Sequence, residues 1–213
     1  MNFKREIPLI IIVLIPFIYL AYIWSSLPET VPTHWNYKGE IDDWGSKNSL
    51  ILITFLLSAV TYILFTIIPL IDPKKRIQTM GNKYHNLKFL MVLFMSALAI
   101  FIIYSVKEQS ITNPSLVIFA IGILFMLLGN YMKTIKANYF IGIRTPWTLE
   151  NESVWKRTHK LAGKLWFVGG LAIAISSLTA SKKFNSIFFI SVTLLITLIP
   201  FVYSYLEYKK IRK

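Results

Sequence analysis

The sequence predicts an all-α integral membrane protein with six transmembrane helices and both termini in the cytoplasm. Two observations predict this fold class: six long apolar stretches within 213 residues, and an uneven distribution of basic residues among the connections. Hydrophobic residues make up 55% of the chain. That composition leaves too little polar sequence to form a water-exposed surface around six such helices.

The six apolar stretches have the length that a membrane span requires. A helix rising about 1.5 Å per residue needs about 20 residues to cross a hydrocarbon core of about 30 Å. None of the stretches contains Asp, Glu, Lys, Arg or His. They lie at about 7–25, 50–71, 89–106, 115–132, 165–181 and 186–206.

The basic residues predict the orientation of these spans. With the N-terminus in the cytoplasm and the connections assigned alternately, 18 of the 23 basic residues lie inside, and the ten acids divide equally between the two sides. This asymmetry follows the positive-inside rule, and it explains the net charge of +13 without a nucleic-acid partner. The five basic residues assigned outside are Lys38, Lys47, Lys107, Lys182 and Lys183.

The first apolar stretch has some features of a secretory signal peptide, since Lys4 and Arg5 precede it. The stretch is too long for that role, however, Pro8 and Pro16 interrupt it, and Trp24 stands where cleavage needs a small residue. We therefore interpret it as the first span. The absence of cysteine excludes disulfides, a thiol nucleophile and a cysteine-based zinc site.

The longest outer connection, residues 27–48, is predicted to fold as an extended arm, a tight reversal and a return strand or turn. Pro28 and Pro32 favour extended backbone before them, and residues 36–39 supply the polar and glycine residues of a turn. Aromatic side chains concentrate at the level of the lipid headgroups. Those expected there are Trp35, Tyr37 and Trp44.

The polar residues of this loop allow three interpretations. A divalent metal site has weak support, because the single histidine, His34, lacks the spacing of known metal motifs. A structured cap whose acids offset nearby lysines explains the same residues. Such a cap is also compatible with binding an extracellular cationic or amphipathic peptide. The candidate peptide-facing residues are His34, Trp35, Glu40, Asp42, Asp43 and Trp44.

The inner connection, residues 133–164, is the segment in which aromatic, turn-forming and charged residues are most concentrated. Gly142 and Pro146 interrupt it, so it cannot be one continuous helix. Thr148 is predicted to be a helix N-cap, with acids in the first turn where the helix dipole favours them. These acids are Glu150 and Glu152.

The helix that follows is predicted to be amphipathic and to lie in the membrane plane at the inner face before it runs into the fifth span. At about 100° per residue, its basic residues share one face and its apolar residues share another. The basic face is expected to contact anionic lipid or a partner protein. It is formed by Lys156, Arg157, Lys160 and Lys164.

Small residues in two spans predict a close helix pair. Gly170 and Ala174 in the fifth span have the spacing that lets two helices approach closely. Gly122 and Gly129, one heptad apart in the fourth span, are candidates for the facing groove. Ordinary helix packing is the preferred explanation of this pattern.

Two strings within the inner connection, Ile141 to Leu149 and Glu152 to Lys156, closely resemble the SdpI family of bacterial immunity proteins against the sporulation-delay toxin. Gly129-Asn130 precedes them, and Gly163 and Gly169 follow. Residues 27–47 resemble the proline and tryptophan loop of an N-terminal domain of unknown function that often accompanies the SdpI region. We therefore divide the chain into a two-span unit, residues 1–88, and an SdpI-like four-span region, residues 89–213.

The resemblance implies a protein of the bacterial cell membrane that protects its cell from a secreted antimicrobial peptide. In the best-known member of the family, the toxin-bound protein also holds a cytoplasmic repressor at the membrane, so an ArsR-like repressor is a possible partner. The family brings no enzymatic activity and no cofactor. Inner-face residues expected to serve structure or partner binding are Asn138, Phe140, Gly142, Arg144, Pro146, Trp147, Glu152, Trp155, Lys156, Arg157, His159 and Lys160.

Two other classes of function are considered. A transporter or exporter of a peptide or small molecule usually has ionisable groups within its spans, and the apolar stretches contain none. A membrane enzyme has little support, because His34, His85 and His159 lie on three separate connections without a Ser or Cys nucleophile motif. We expect no direct contact with nucleic acid.

Overall fold

The computed structural model describes residues 3–36, 38–109 and 114–212. Within these residues, six helices are long and apolar enough to cross a membrane, which confirms the predicted number of spans. The spans extend beyond the apolar stretches at several ends and therefore include charged residues. They are Phe3–Ser26, Ser49–Ile71, Asn82–Lys107, Pro114–Met132, Glu152–Thr179 and Lys183–Ile211.

The two strands lie between the first and second spans, and the other elements are helical. The second span is composite, because Phe55–Val60 forms π-helical turns between two α-helices. In chain order the elements are α1 (Phe3–Ile23), β1 (Thr30–Trp35), β2 (Ile41–Ser46), α2 (Ser49–Thr54), α3 (Thr61–Ile71), α4 (Asn82–Lys107), α5 (Pro114–Met132), α6 (Pro146–Glu150), α7 (Glu152–Thr179) and α8 (Lys182–Ile211).

The chain forms two compact units. The first contains Met1–Leu70 and Tyr84–Asn113, and the second contains Ile71–Lys83 and Pro114–Lys213. The third span therefore groups with the first two, whereas the predicted sequence boundary lay at residue 88. The predicted boundary divides the chain by its resemblance to two families. The packing of the spans does not test that division, so it stays a prediction.

The first unit has an apolar core at the end that carries the strands. Leu20 and Ile23 of α1 pack with Val31 of β1 and with Ile103 and Val106 of α4. The unit also contains a buried ion pair near the start of α1 and α4. In it, Lys88 Nζ lies 2.7 Å from a carboxylate oxygen of Glu6.

In the second unit, α5 and α7 pack with their backbones in contact. A Cβ built on Gly129 would lie 2.8 Å from the carbonyl oxygen of Gly163, and one built on Gly170 would lie 2.4 Å from the backbone nitrogen of Met126. A Cβ on Gly122 would lie 2.8 Å from the Gly170 carbonyl oxygen. The predicted pairing of small residues between the fourth and fifth spans is confirmed.

Two sequence predictions need correction, and a third is not confirmed. The fold is not purely α-helical, because residues 30–46 form an antiparallel hairpin. Thr148 is not an N-cap: Thr145 caps α6, and Asn151 caps α7 with its side-chain oxygen. Finally, α7 is one continuous helix from Glu152 to Thr179, so a separate helix in the membrane plane before the fifth span is not confirmed.

Candidate functional site

The hairpin, Thr30–Ser46, has the extended arm, reversal and return strand that its sequence predicts. Trp35 pairs with Ile41 across the two strands. The Asn36 side-chain oxygen accepts hydrogen bonds from the backbone N–H groups of Lys38 and Glu40 at 2.9 and 3.1 Å. Gly39 adopts a φ of 86°, which favours glycine. Tyr37 lies outside the described residues.

The acids of the hairpin are exposed, and each contacts a nearby group. Asp42 lies 2.5 Å from Nδ1 of His34. Asp43 accepts from the Thr33 hydroxyl at 3.1 Å, and Glu40 accepts from the Asn36 amide at 2.9 Å. Among the described residues, no group of three or more His, Cys, Asp or Glu side chains is placed to hold a metal.

The two described tryptophans of the hairpin occupy different environments. Trp44 is 50% exposed. Trp35 is partly buried and packs against the apolar core of the first unit, and its indole N–H is buried without a hydrogen-bond partner among the described residues. Trp35 therefore anchors the hairpin to the spans. The other candidate peptide-facing side chains are accessible, and they are His34, Glu40, Asp42, Asp43 and Trp44.

Asn138 organises the start of the inner connection and is almost completely buried. Its amide nitrogen donates to the carbonyl oxygens of Lys136 and Ile141 at 2.7 and 3.0 Å. Its side-chain oxygen accepts from the backbone N–H groups of Phe140 and Ile141 at 2.8 and 2.7 Å. This one side chain thus satisfies four backbone groups of a segment that has no regular secondary structure.

His159 and Trp155 link the inner connection to α7. Their rings stack with centroids 4.0 Å apart, and both side chains are buried. His159 Nε2 accepts from the backbone N–H of Ile143 at 3.1 Å, so Nδ1 carries the proton that it donates to the Trp155 carbonyl oxygen at 2.9 Å. The Trp155 indole donates to the carbonyl oxygen of Ile135 at 2.8 Å. The histidine is therefore neutral and has a structural role.

A buried cap joins the inner connection to the last span. The Thr145 side chain accepts from the backbone N–H of Thr148, the Thr148 side chain accepts from that of Thr145, and Pro146 starts α6. The hydroxyl groups of Thr145 and Ser204 on α8 lie 3.0 Å apart. Trp147 packs on Tyr205 of α8 with ring centroids 5.0 Å apart.

The charged residues of the inner connection divide among several partners. Arg144 is exposed and donates to the carbonyl oxygen of Tyr139 at 2.6 Å. Glu152 forms an ion pair with Arg76. Arg157 pairs with the buried Glu207 of α8 at 2.8 Å.

The basic face predicted for this helix is exposed, but it borders two separate clefts. Lys156 lines one cleft, whereas Arg157, Lys160 and Lys164 line another of about 300 Å³ beside Tyr203. Residues 156 and 157 point about 100° apart around the helix axis, so they reach different neighbours.

Sequence reasoning missed the ionisable residues within the helices. Besides Glu6 and Lys88, the structure buries Glu207. The Glu6 carboxylate also accepts from the Tyr62 hydroxyl at 3.0 Å, and Lys88 donates to the Thr66 hydroxyl at 2.9 Å. Each of these ionisable residues lies just outside an apolar stretch, so extending the stretches by one helical turn would have included them.

The matches with known proteins cover both regions described above. Residues 134–204 match the family model described as the SdpI/YfhL protein family, and residues 11–62 match a domain of unknown function, DUF1648. The first match contains Asn138, His159 and Ser204, and the second contains the hairpin.

Over 211 residues, the chain is 31% identical to Immunity protein SdpI of Bacillus subtilis (strain 168), and the alignment covers 98% of each protein. No solved structure matches the chain. Together with the six apolar helices, these matches establish a multi-pass protein of the cell membrane, and the chain belongs to the SdpI family.

Proposed function

We propose that this chain is a membrane immunity protein that protects its cell from a secreted antimicrobial peptide. The observation that carries the proposal is its 31% identity to Immunity protein SdpI over nearly the whole of both chains. The alignment covers 98% of both chains, and the two family matches include the hairpin and the inner connection from residue 134 onward.

The hairpin is the proposed contact for the peptide. Asp42 and Asp43 give it exposed negative charge, which attracts a cationic peptide, and the exposed Trp44 offers an apolar surface for an amphipathic one. The hydrogen bonds of the reversal and the anchoring Trp35 hold these groups in one arrangement, which lowers the entropy lost on binding.

The inner connection is the proposed output element. Its exposed basic residues Arg157, Lys160 and Lys164 border one cleft and suit an acidic surface of a cytoplasmic regulator such as an ArsR-like repressor. The contact between Thr145 and Ser204 joins the inner connection to α8 next to Tyr203, which lines this cleft. We propose no catalytic role for the chain, because His159 uses both ring nitrogens in structural hydrogen bonds.

A transporter remains the second candidate function, and one observation favours it. The structure buries Glu6, Lys88 and Glu207 within helices of the candidate spans, where carriers often have ionisable groups. Each of the three is hydrogen-bonded to a partner, so we favour a structural role for these residues.

The proposal is tested by expressing the chain in a strain that a sporulation-delay-type peptide kills. The parent protein should restore growth. Trp44→Ala combined with Asp42→Asn should weaken protection, whereas Tyr139→Ala, which truncates an exposed aromatic of the inner connection, should not. Equal membrane abundance of all variants is the control. A parent protein that is abundant in the membrane yet gives no protection would rule out this immunity function.

A further inference from the structure

A second cleft in the second unit has a volume of about 450 Å³. It is lined by Arg76 and Thr79, by residues 133–137 after α5, and by Glu152, Trp155 and Lys156 in the first turns of α7. Most of its charged side chains have the same sign. Its basic residues are Arg76, Lys133, Lys136 and Lys156.

The cleft contains more positive charge than its own acid neutralises. Glu152 is paired with Arg76, and Lys136 donates to the Thr79 hydroxyl at 2.9 Å, which leaves the lysine charge uncompensated. In the described part of the chain, Lys133 and Lys156 form no hydrogen bond or ion pair through their ammonium groups. Like charges around one cleft repel each other, and a bound anion offsets this repulsion.

The position of the cleft identifies the anion. Lys133 directly follows the last residue of α5, and Lys156 lies in the first turns of α7, so both stand at the ends of candidate spans. The side that holds them is the one that the positive-inside rule predicts to be cytoplasmic, where anionic lipid headgroups concentrate. The N-terminal amides of α7 are not the anion site, because the Asn151 side chain accepts from Ser153 and Val154.

We propose that this cleft binds the headgroup of an anionic phospholipid, with Lys133, Lys136 and Lys156 contacting its phosphates. Three cations beyond the Arg76–Glu152 pair suit a lipid with two phosphodiester groups, such as cardiolipin. The cleft is concave and bordered by three parts of the chain, so a compact phosphate group can contact several of its lysines at once. The assignment does not depend on the proposed immunity function.

The test measures lipid binding to the full chain in detergent by native mass spectrometry, with cardiolipin and with phosphatidylcholine. Lys133→Gln/Lys156→Gln removes the two lysines whose ammonium groups form no hydrogen bond or ion pair with the described residues. Because each lysine contributes about 1 kcal/mol with anionic lipid, the affinity for cardiolipin should fall about 30-fold. The matched control, Lys160→Gln/Lys164→Gln, removes the same charge from the other cleft and should bind cardiolipin like the parent.

The charge-retaining variant Lys133→Arg/Lys156→Arg should keep cardiolipin binding, which separates a lost charge from a damaged fold. Several outcomes would overturn the proposal. Equal losses in both glutamine variants would show nonspecific attraction, and equal binding of phosphatidylcholine would show that charge is irrelevant. Inorganic pyrophosphate binding as tightly as cardiolipin would assign the cleft to a soluble phosphate. Unchanged cardiolipin binding, with loss of a cytoplasmic protein from membranes, would assign it to a protein partner.

Discussion

The imidazole of His159 occupies the space that a side chain at Gly142 would need. A Cβ built on Gly142 would lie 2.4 Å from His159 Nε2, and the glycine adopts a φ of 103°. The glycine therefore satisfies two requirements at once: an unusual backbone conformation and the close approach of a buried ring. The same ring nitrogen accepts the N–H of the next residue, Ile143, so the backbone path and the histidine position depend on each other.

Gly142→Ala is expected to destabilise the second unit. The positive φ costs about 1–2 kcal/mol for a residue with a Cβ, and overlap with the buried ring adds about 1–3 kcal/mol. Gly81→Ala is the control, because Gly81 also has a positive φ but has nothing within 4 Å of a Cβ. Thermal unfolding in detergent should show a larger loss of stability for Gly142→Ala than for Gly81→Ala. If the two losses are equal, the contact with His159 has no energetic importance.

Replacement of adjacent glycines on α7 should have unequal effects. A Cβ at Gly170 would meet backbone atoms of α5, which cannot move away without separating the helices. At Gly169 it would meet γ-methyl groups of Ile196 and Val192, which can shift more easily than a helix backbone. Gly170→Ala should therefore lower the melting temperature more than Gly169→Ala. The corresponding difference in the free energy of unfolding is about 1–3 kcal/mol. The reverse order would contradict the described contact between α5 and α7.

The Glu6–Lys88 ion pair should show strong coupling in a double-mutant cycle. Removing one partner leaves a buried charge uncompensated, so Glu6→Gln or Lys88→Met alone should cost about 3–5 kcal/mol. The double variant should cost less than the sum of the two, because no unpaired charge remains. Denaturant unfolding in detergent measures all four proteins. Additive losses would show that the two groups do not stabilise each other.

The predicted topology is open to a direct test. A reporter enzyme that is active only outside the cytoplasm should remain inactive when fused after Lys213, because both ends are predicted to lie inside. The same reporter inserted at Gly39 in the hairpin reversal should be active, since that turn is predicted to face outward. Activity at the C-terminal fusion would refute the orientation on which the two proposed binding surfaces rest.

The sequence predicted those features that depend on local pattern. Six apolar stretches were sufficient for six spans, and proline, asparagine and glycine were sufficient for the hairpin reversal. The spacing of Gly122 and Gly129 identified the contact face of α5 because helical periodicity alone brings them to one side.

The features that sequence reasoning missed depend on contacts between distant residues. The cap of α6 is an exception, because Pro146 at the first helical position marks Thr145 as the N-cap in the local sequence, and the contact of Thr145 with Ser204, which is 59 residues away, only adds to it. The pairing of Glu6 with Lys88 spans 82 residues. The division of the basic face into two clefts depends on which neighbours surround α7, and periodicity does not contain that information.

The glycine contacts between α5 and α7 also determine how this pair of helices can transmit force. Gly129 and Gly122 touch α7 at two levels, about 10 Å apart along the axis of α5. With backbone against backbone at both levels, neither helix can shift toward the other without a clash, so we expect the two helices to move together. A displacement of the basic first turns of α7 is therefore expected to displace α5 as well.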